Sequence, residues 1–320
     1  MSTSDAVWFR AAVLGTARVA RTMMRVTLGP VSGGSGHTDA ALFGEDVDAS
    51  TPVLGIESFI SSGRADEFLS IVFPGASAQT DRCDGEDRTD ADVCSALSAA
   101  RPFTRYYTVR RWDPATCTME VDFVLHGHGP AAAWAAAARI GDVIMLGSPR
   151  GHYAPPPGTS WIALVGDATA LPAIARILEE HADHPDAPPV VAVLDLAEPD
   201  APPLALRPTD RVVWAAGDEP LDLLAEVRRL TARAERGYVW FSGEAGEMRA
   251  VRRHLRHELR WPTSDWMTMG YWRRDAERWR RRFDALGPAI SEELDAVYAT
   301  GDDDETMRDR AEAIFAAHGL

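Results

Sequence analysis

The residues best suited to chemistry lie at positions 105–110, in a stretch with the alternation of a β-strand. Residues at i and i+2 face the same side of a strand, so Arg105 and Tyr107 share one face. An arginine can pair with a diphosphate, an aromatic ring can lie along a flat heterocycle, and the hydroxyl or N–H of Thr108 can reach that ring's reactive edge. The pattern favours a flavin nucleotide site, with cross-strand aromatic packing as the alternative.

A second candidate site for an anion lies at residues 123–131, which pass from a strand through a glycine turn into a helix. Pro130 suits the first helical position because the N–H it lacks has no partner inside a helix. The free N–H groups and the dipole of a helix start attract anions such as a cofactor diphosphate. His126 and His128 could suggest a metal, but no Asp, Glu or Cys stands at ligand spacing, so a polar lining of the turn is favoured.

Two strand ends in the second half of the chain carry small and acidic residues: Gly166, Asp167, Thr169, Ala170, Gly243 and Glu244. Both follow nearly continuous apolar runs, and open parallel sheets bind nucleotides where such strands end. The first turn lacks the full glycine fingerprint of dinucleotide-binding proteins, so a helix capped by Thr169 is the alternative.

A last group combines aromatic and basic side chains at Tyr271, Trp272, Arg273 and Arg274. Two rings beside two guanidinium groups can cover a flat ring or meet an anionic substrate. The alternative is that the two rings seal a domain interface.

The first half of the chain has the pattern of an antiparallel sheet. Short β-like runs bounded by Gly, Pro or Asp occupy residues 25–28, 68–73, 106–110, 119–125 and 143–146. No long helical pattern interrupts them before residue 131, which predicts an antiparallel β-barrel. The polar and acidic residues 75–100 are predicted to form a surface loop.

The second half of the chain has a different pattern of apolar residues. After a proline-rich linker, apolar runs alternate with helical stripes; the runs are residues 161–165, 190–194, 212–214 and 238–241. The stripes are Ile174, Ile177 and Leu178, then Leu223, Val227 and Leu230, then Met248, Val251 and Leu255. This alternation predicts an α/β doubly wound parallel sheet.

The end of the chain is predicted to be a charged helical C-terminal extension, in which the run of acidic residues at 302–305 is interpreted as a solvated face. We therefore expect three parts: a barrel domain at residues 1–153, an α/β domain at residues 154–275 and the extension at residues 276–320.

Composition excludes several classes of function. The 320 residues include no lysine, so all 33 basic residues are arginine. P-loops and lysine Schiff bases both need the missing amine, which excludes P-loop nucleotide hydrolysis and pyridoxal chemistry. The net charge of −15 argues against a nucleic-acid partner. An odd three cysteines, no apolar run of about 18 residues and no signal-peptide pattern predict a cytoplasmic protein without membrane insertion.

Together and in order, these segments resemble the siderophore-interacting protein family, flavin-dependent ferric-siderophore reductases related to the ferredoxin reductases. The resemblance covers about residues 8–275. The matching motifs are Arg105-x-Tyr107-Thr108-Val109-Arg110, Asp122 to Pro130 with Trp134-Ala135, Gly141-Asp142, Pro149-Arg150-Gly151, Gly166 to Ile174, Gly243-Glu244 and Gly270-Tyr271-Trp272-Arg273. Collinear matches in this number are much more specific than any one of them.

The resemblance implies a barrel that holds FAD and a C-terminal domain that binds NADH or NADPH. The cofactor-binding residues it implies are Arg105, Tyr107, Thr108, Val109, His126, Gly127, Gly129, Pro130, Ala131, Gly166, Asp167, Thr169, Ala170, Gly243, Glu244, Tyr271 and Trp272. Tyr107 and Thr108 would act at the reacting flavin. Arg150, Arg273 and Arg274 would bind a ferric siderophore.

The implied reaction passes a hydride from the nicotinamide to the flavin and then single electrons to Fe(III) held by the siderophore. Hard oxygen donors hold Fe(III) better than Fe(II), so reduction releases the iron for assimilation. The reaction requires no metal site in the protein.

Three residues depart from the family pattern. Ala168 stands in the nucleotide turn where a glutamate is usual, and Asp275 stands where a glycine is usual. Ser70 occupies a strand position where the family often has a lysine of its basic siderophore patch. Two alternatives therefore stay open: a flavin reductase that serves a protein or a small organic acceptor, and a non-enzymatic siderophore-binding module.

The choice of nicotinamide cofactor is predicted from the end of the second apolar strand of the α/β domain. Asp195 ends this strand, Glu198 follows, and no basic residue lies near them in the sequence. An acidic residue there suits a ribose hydroxyl better than a 2′-phosphate, which favours NADH.

Overall fold

The structure is a computed structural model that describes residues 7–31, 51–73, 103–125, 129–217 and 219–320. The loop predicted at residues 75–100, the start of the chain, Cys83, Cys94, His126 and Gly127 lie outside the described residues. No helix in these ranges is long and apolar enough to span a bilayer.

The first sheet closes on itself as a barrel. Its strands are β1 (Trp8–Ala20), β2 (Met23–Gly29), β3 (Val53–Gly55), β4 (Phe68–Phe73), β5 (Phe103–Thr108), β6 (Arg111–Asp113), β7 (Thr118–Val124) and β8 (Val143–Leu146). They pair in the order β5-β4-β8-β1-β2-β7-β6, with β3 joined to β1. Only Val109 and Arg110 separate β5 from β6, so the two ends of this order are one continuous piece of chain. The predicted antiparallel barrel is confirmed, although β1, β3 and β6 were not predicted.

Helix α1 (Pro130–Ala137) packs against the barrel core through Trp134, which is fully buried. The Trp134 ring centroid lies 5.0 Å from that of Phe73 and 5.8 Å from that of Phe123. Alanine-rich sequence favours the helix, and Pro130 stands at its start as expected. The tryptophan therefore fixes the position of the helix start relative to the strands.

The second sheet is parallel and is covered on both faces. Its strands are β9 (Trp161–Asp167), β10 (Val190–Asp195), β11 (Arg211–Trp214), β12 (Gly237–Glu244) and β13 (Trp266–Trp272), in the order β11-β10-β9-β12-β13. Helix α2 (Leu171–Ala182) packs on one face, and α3 (Leu223–Thr231) and α4 (Ala245–Arg253) pack on the other. The predicted helical stripes are buried, with Met248 partly so.

The doubly wound prediction is confirmed, and the strand order reverses between β9 and β12. Such a reversal opens the crevice where ligands bind in sheets of this kind. Short helical turns complete this half of the chain: 3₁₀ turns at Glu198–Asp200 and Thr263–Asp265 and a π-helical turn at His254–Glu258, with a further 3₁₀ turn at Ile56–Ser58 in the barrel domain.

Ion pairs between α2 and the barrel join the two domains. The Arg176 guanidinium donates to the Val109 carbonyl at 2.8 Å and to the Glu67 carboxylate at 3.3 Å. Arg110 donates to Glu179 at 2.8 Å, and it is almost fully buried. Buried charges of this kind need their partners, so the pairs fix how the barrel meets the parallel sheet.

The extension consists of α5 (Ala276–Ala285), α6 (Pro288–Tyr298) and α7 (Asp304–Ala317), and α7 is anchored by a buried arginine of α4. Arg252 is 2% exposed, and its guanidinium bonds to the carboxylates of Glu305 at 2.7 Å, Asp309 at 2.6 Å and Glu312 at 3.2 Å. The interpretation of residues 302–305 as a solvated face is therefore wrong for Glu305. Its spacing from Asp309 and Glu312 places all three on one side of the helix, facing Arg252.

Asp275, at the start of α5, adopts left-handed backbone angles with φ 56° and ψ 36°. This conformation explains why glycine is usual there in the family that the sequence resembles, since a Cβ is disfavoured at positive φ. We predict that Asp275→Ala lowers the free energy of unfolding by about 1 kcal/mol and that Asp275→Gly does not. Urea denaturation of both variants checks this. Equal losses of unfolding free energy would show that the left-handed backbone angles of residue 275 do not cause the effect.

Candidate functional site

Arg105 and Tyr107 lie on the same face of β5, as their spacing predicts. The Arg105 guanidinium lies 5.5 Å from the centroid of the Phe103 ring, and Phe73 contacts both Phe103 and Tyr107. Burial raises the pKa of the Tyr107 hydroxyl well above its usual value, with the Arg105 charge opposing that effect. The phenol therefore stays neutral beside an exposed cation.

The start of α1 faces the same region. The Tyr107 ring centroid lies 4.4 Å from that of Phe123, and Phe123 in turn packs against Trp134 of α1. Gly129 precedes the helix without any side-chain cap, so the first N–H groups lack such a partner. No described atom lies within 4 Å of the place that a Cβ on Gly129 would occupy.

These features fit a flavin nucleotide with a diphosphate. Arg105 supplies a cation, and the start of α1, where Pro130 is the first residue, offers the N–H groups of Gly129 and Ala131 without a side-chain cap and with open space at Gly129. Val109 does not share this arrangement, because its side chain is fully buried and its N–H and carbonyl bond to Glu67 and Arg176.

Thr108 meets the second domain at Tyr271. Thr108 is buried, and its side chain lies beside the Tyr271 hydroxyl, as does that of Ser242 at the end of β12. Burial raises the pKa of Tyr271 far above its usual value. The Tyr271 ring lies perpendicular to that of Trp240, with centroids 6.5 Å apart. The predicted flavin strand thus touches the carboxyl edge of the parallel sheet.

The turn after β9 is organised by Asp167. Its carboxylate accepts the Thr169 N–H at 2.7 Å and the Trp272 Nε1–H at 2.6 Å. Thr169 does not cap α2, because Ala170 is the N-cap and makes no side-chain cap bond. A Cβ on Gly166 would clash with the Ser242 carbonyl oxygen and with Ala170, so glycine permits the close approach of β9 and β12.

Glu244 closes the neighbouring strand end. Its carboxylate accepts the backbone N–H groups of Gly246, of Glu247 at 3.2 Å and of Arg274 at 3.0 Å. Burial alone would raise the pKa of Glu244, but these three donors lower it, so the side chain stays ionised. A Cβ on Gly243 would lie 3.0 Å from the Asp167 carboxylate, which brings the two predicted strand ends together.

Sequence reasoning missed Glu247, in the first turn of α4. Burial raises the pKa of Glu247, as do the charges of Asp167, Asp195 and Glu244, with Arg274 opposing them. The position of Glu247 just after a strand at the reversal of the sheet order was the available signal. The carboxyl edge of the sheet is therefore a region of concentrated negative charge.

The carboxylates at and after the end of β10 have partners in the structure. The Asp195 carboxylate accepts the Leu221 N–H at 2.8 Å. Asp200, two residues after Glu198, pairs with Arg21 from the β1–β2 turn at 2.8 Å. The preference for NADH stays a prediction.

The three predicted substrate arginines lie in two places, with Arg150 beside β4 and with Arg273 and Arg274 in the connection between β13 and α5. Arg150 is exposed and forms a backbone bridge with Phe68 of β4. The Arg273 guanidinium lies 4.5 Å from the centroid of the Trp279 ring in the extension, where burial and the Arg249 charge lower its pKa. Arg274 is exposed, and its N–H bonds to Glu244.

Comparison with known proteins gives two family matches. The siderophore-interacting FAD-binding domain matches residues 53–153, and the siderophore-interacting protein family matches residues 159–275. An uncharacterised protein of Mycobacterium tuberculosis is 35% identical over 240 residues, which cover 69% of this chain and 82% of that protein. Ferric vibriobactin reductase of Vibrio cholerae is 29% identical over 181 residues, covering 54% of this chain and 66% of the reductase.

Among solved structures, a siderophore utilization protein from T. fusca matches with a TM-score of 0.59 and 25% identity, covering 85% of this chain and 94% of that one.

Proposed function

The chain belongs to the siderophore-interacting protein family of FAD-dependent oxidoreductases, and on that premise we propose that it is an NAD(P)H:ferric-siderophore reductase. The observation that carries the proposal is the meeting of the predicted flavin strand with the parallel-sheet domain, where Arg176 of α2 donates to the Val109 carbonyl at 2.8 Å and Thr108 lies beside Tyr271. This contact joins the flavin strand to the edge where such sheets bind nucleotides.

Arg105 and the start of α1 are the groups that would hold the FAD diphosphate, by charge-assisted and backbone hydrogen bonds. Tyr107 offers a neutral ring beside them, and Thr108 a hydroxyl close to Tyr271. We include His126 and Gly127 among the phosphate-binding residues on the family motif alone. Bound FAD supplies the conversion of a two-electron hydride donor into one-electron steps.

The nicotinamide nucleotide would bind along the edge formed by Gly166, Asp167, Thr169, Gly243, Glu244 and Trp272. We propose that NADH is preferred, because the carboxylates of Asp167, Asp195, Glu244 and Glu247 would oppose a further phosphate in this low-dielectric crevice. Asp167 and Glu244 each hold two or more N–H donors, which keeps the strand ends and their following turns in place.

The substrate would be a ferric siderophore, approached by Arg150, Arg273 and Arg274. A chain of net charge −15 cannot attract an anionic ferric complex by its overall field, so the attraction depends on these local arginines. Reduction to Fe(II) weakens the hold of hard oxygen donors and releases the iron.

We predict that the purified protein is yellow and that anaerobic NADH bleaches its flavin absorbance near ~450 nm, with NADPH at least about tenfold less efficient. Stopped-flow reduction with each nucleotide, followed by addition of a ferric hydroxamate or a ferric catecholate, measures each step. Reoxidation of the flavin with formation of Fe(II) supports the function. A flavin that neither nucleotide reduces would falsify it, and equal rates for both nucleotides would refute the preference alone.

A second candidate is an FAD reductase whose acceptor is a protein or a small organic molecule. Two observations favour it: Ser70 replaces the lysine common in the family, and Arg273 is engaged with Trp279. Steady-state rates on ferric siderophores against ferredoxin-like and quinone acceptors separate the two candidates.

A further inference from the structure

A buried carboxylate, Asp66, lies between the two domains behind the proposed flavin site. It is 1% exposed, and one of its oxygens accepts the backbone N–H groups of His152 and Tyr153 at 2.8 Å each. The other oxygen accepts the Trp240 Nε1–H at 3.0 Å. An oxygen pair that only accepts is the pattern of an ionised carboxylate.

Asp66 differs from two other buried carboxylates of the barrel domain, because those two are paired with arginines. Asp122 is bound by both nitrogens of the Arg25 fork at 2.7 and 2.9 Å, and Glu67 pairs with Arg176 at 3.3 Å. In the ranges that the structure describes, no ion pair joins Asp66 to a cation. Neutral N–H donors hold its charge in place without cancelling it.

A short chain of contacts leads from Asp66 to the flavin residues. Trp240, fixed by its hydrogen bond to Asp66, presents its ring to Tyr271, and Tyr271 lies beside Thr108. After burial, the Asp66 charge is the largest contributor that raises the pKa of Tyr271. The field of the carboxylate therefore reaches the place where β5 and β13 meet.

We propose that Asp66 lowers the reduction potential of the bound FAD through the electric field of its negative charge, which Trp240 holds in place behind Tyr271. The inference rests on the proposed FAD site. A hydride brings one proton and two electrons, so the flavin gains one net negative charge when it accepts one. A second negative charge held in a low-dielectric interior disfavours that gain. A lower potential makes the reduced protein a stronger electron donor to Fe(III).

The test is the midpoint potential of the FAD-loaded protein, measured by anaerobic spectroelectrochemical titration without nicotinamide or siderophore. We expect Asp66→Asn to favour the reduced flavin about tenfold, an upward shift of ~30 mV for a two-electron couple. Asp66→Glu keeps the charge and should keep the low potential. Asp66→Ser keeps an acceptor oxygen without the charge, and it replaces the asparagine variant if that variant does not fold.

Asp122→Asn is the matched control, because it also removes a buried carboxylate, but one that Arg25 neutralises. Asp66→Asn and Asp122→Asn should both lower the melting temperature of the apoprotein, and only Asp66→Asn should move the potential. An unchanged potential in Asp66→Asn and Asp66→Ser would overturn the inference. That result would not affect the proposed function. The proposed function fails instead if the wild-type protein binds no FAD or shows no ferric reduction.

Discussion

Arg105→Ala is expected to purify largely free of flavin, with the dissociation constant for FAD raised about ten- to a hundredfold. The reason is the loss of a charge-assisted contact worth about 1.5–3 kcal/mol at a diphosphate. The ratio of flavin to protein absorbance after purification gives the occupancy. Titration of the apoprotein with FAD, followed by quenching of flavin fluorescence, gives the dissociation constant.

Arg111→Ala is the matched control for this experiment. Arg111 is also an exposed arginine of the barrel, at the start of the next strand, β6. The Arg111→Ala protein should keep wild-type flavin content. That result would show that removing a positive charge from the barrel surface does not by itself cause the loss of flavin. An Arg105→Ala protein that retains its full flavin would remove Arg105 from the proposed site.

Arg252→Met should lower the free energy of unfolding by about 3 kcal/mol and free α7 from α4. Three carboxylates converge on the Arg252 guanidinium, and removing the arginine leaves them facing one another in a partly buried place. Their partial exposure keeps the expected loss at the lower end of the range for broken buried ion pairs. Urea denaturation measures the loss, and limited proteolysis at residues 299–303 reports the release of α7.

Arg253→Met is the control that tests whether loss of any arginine charge from α4 lowers the stability. Arg253 follows Arg252 on α4 but is exposed, so its replacement should change stability by less than about 0.5 kcal/mol. If the two variants unfold alike, the carboxylates of α7 do not anchor the extension through Arg252.

The elements with strong local patterns could be predicted from the sequence. Strands β9, β10 and β12 are continuous apolar runs because both faces of the parallel sheet are covered. Strand β1 was missed because its sequence mixes alanine, arginine and glycine, which have little β-propensity. Its conformation depends on pairing with β2 across a tight turn and with β8, a strand distant in the sequence that no local pattern shows.

The same distinction between local pattern and tertiary packing applies to the candidate site. The shared face of Arg105 and Tyr107 and the strand-end turns follow from periodicity and chain position. The contact of Thr108 with Tyr271 and the stacking of Arg273 on Trp279 follow from how domains and extension pack. The hydrogen bond between Asp66 and Trp240 could not be predicted from the sequence either, because the two residues lie 174 positions apart.

The cations that join the barrel to α2 make the two-domain arrangement resistant to alkali. Arg110 and Arg176 provide these cations, and a guanidinium keeps its proton throughout the range in which proteins fold. Alkali therefore cannot discharge the interface from the cationic side. We expect the contact between the two domains to withstand alkaline assay buffers, in which a lysine-based interface would loosen.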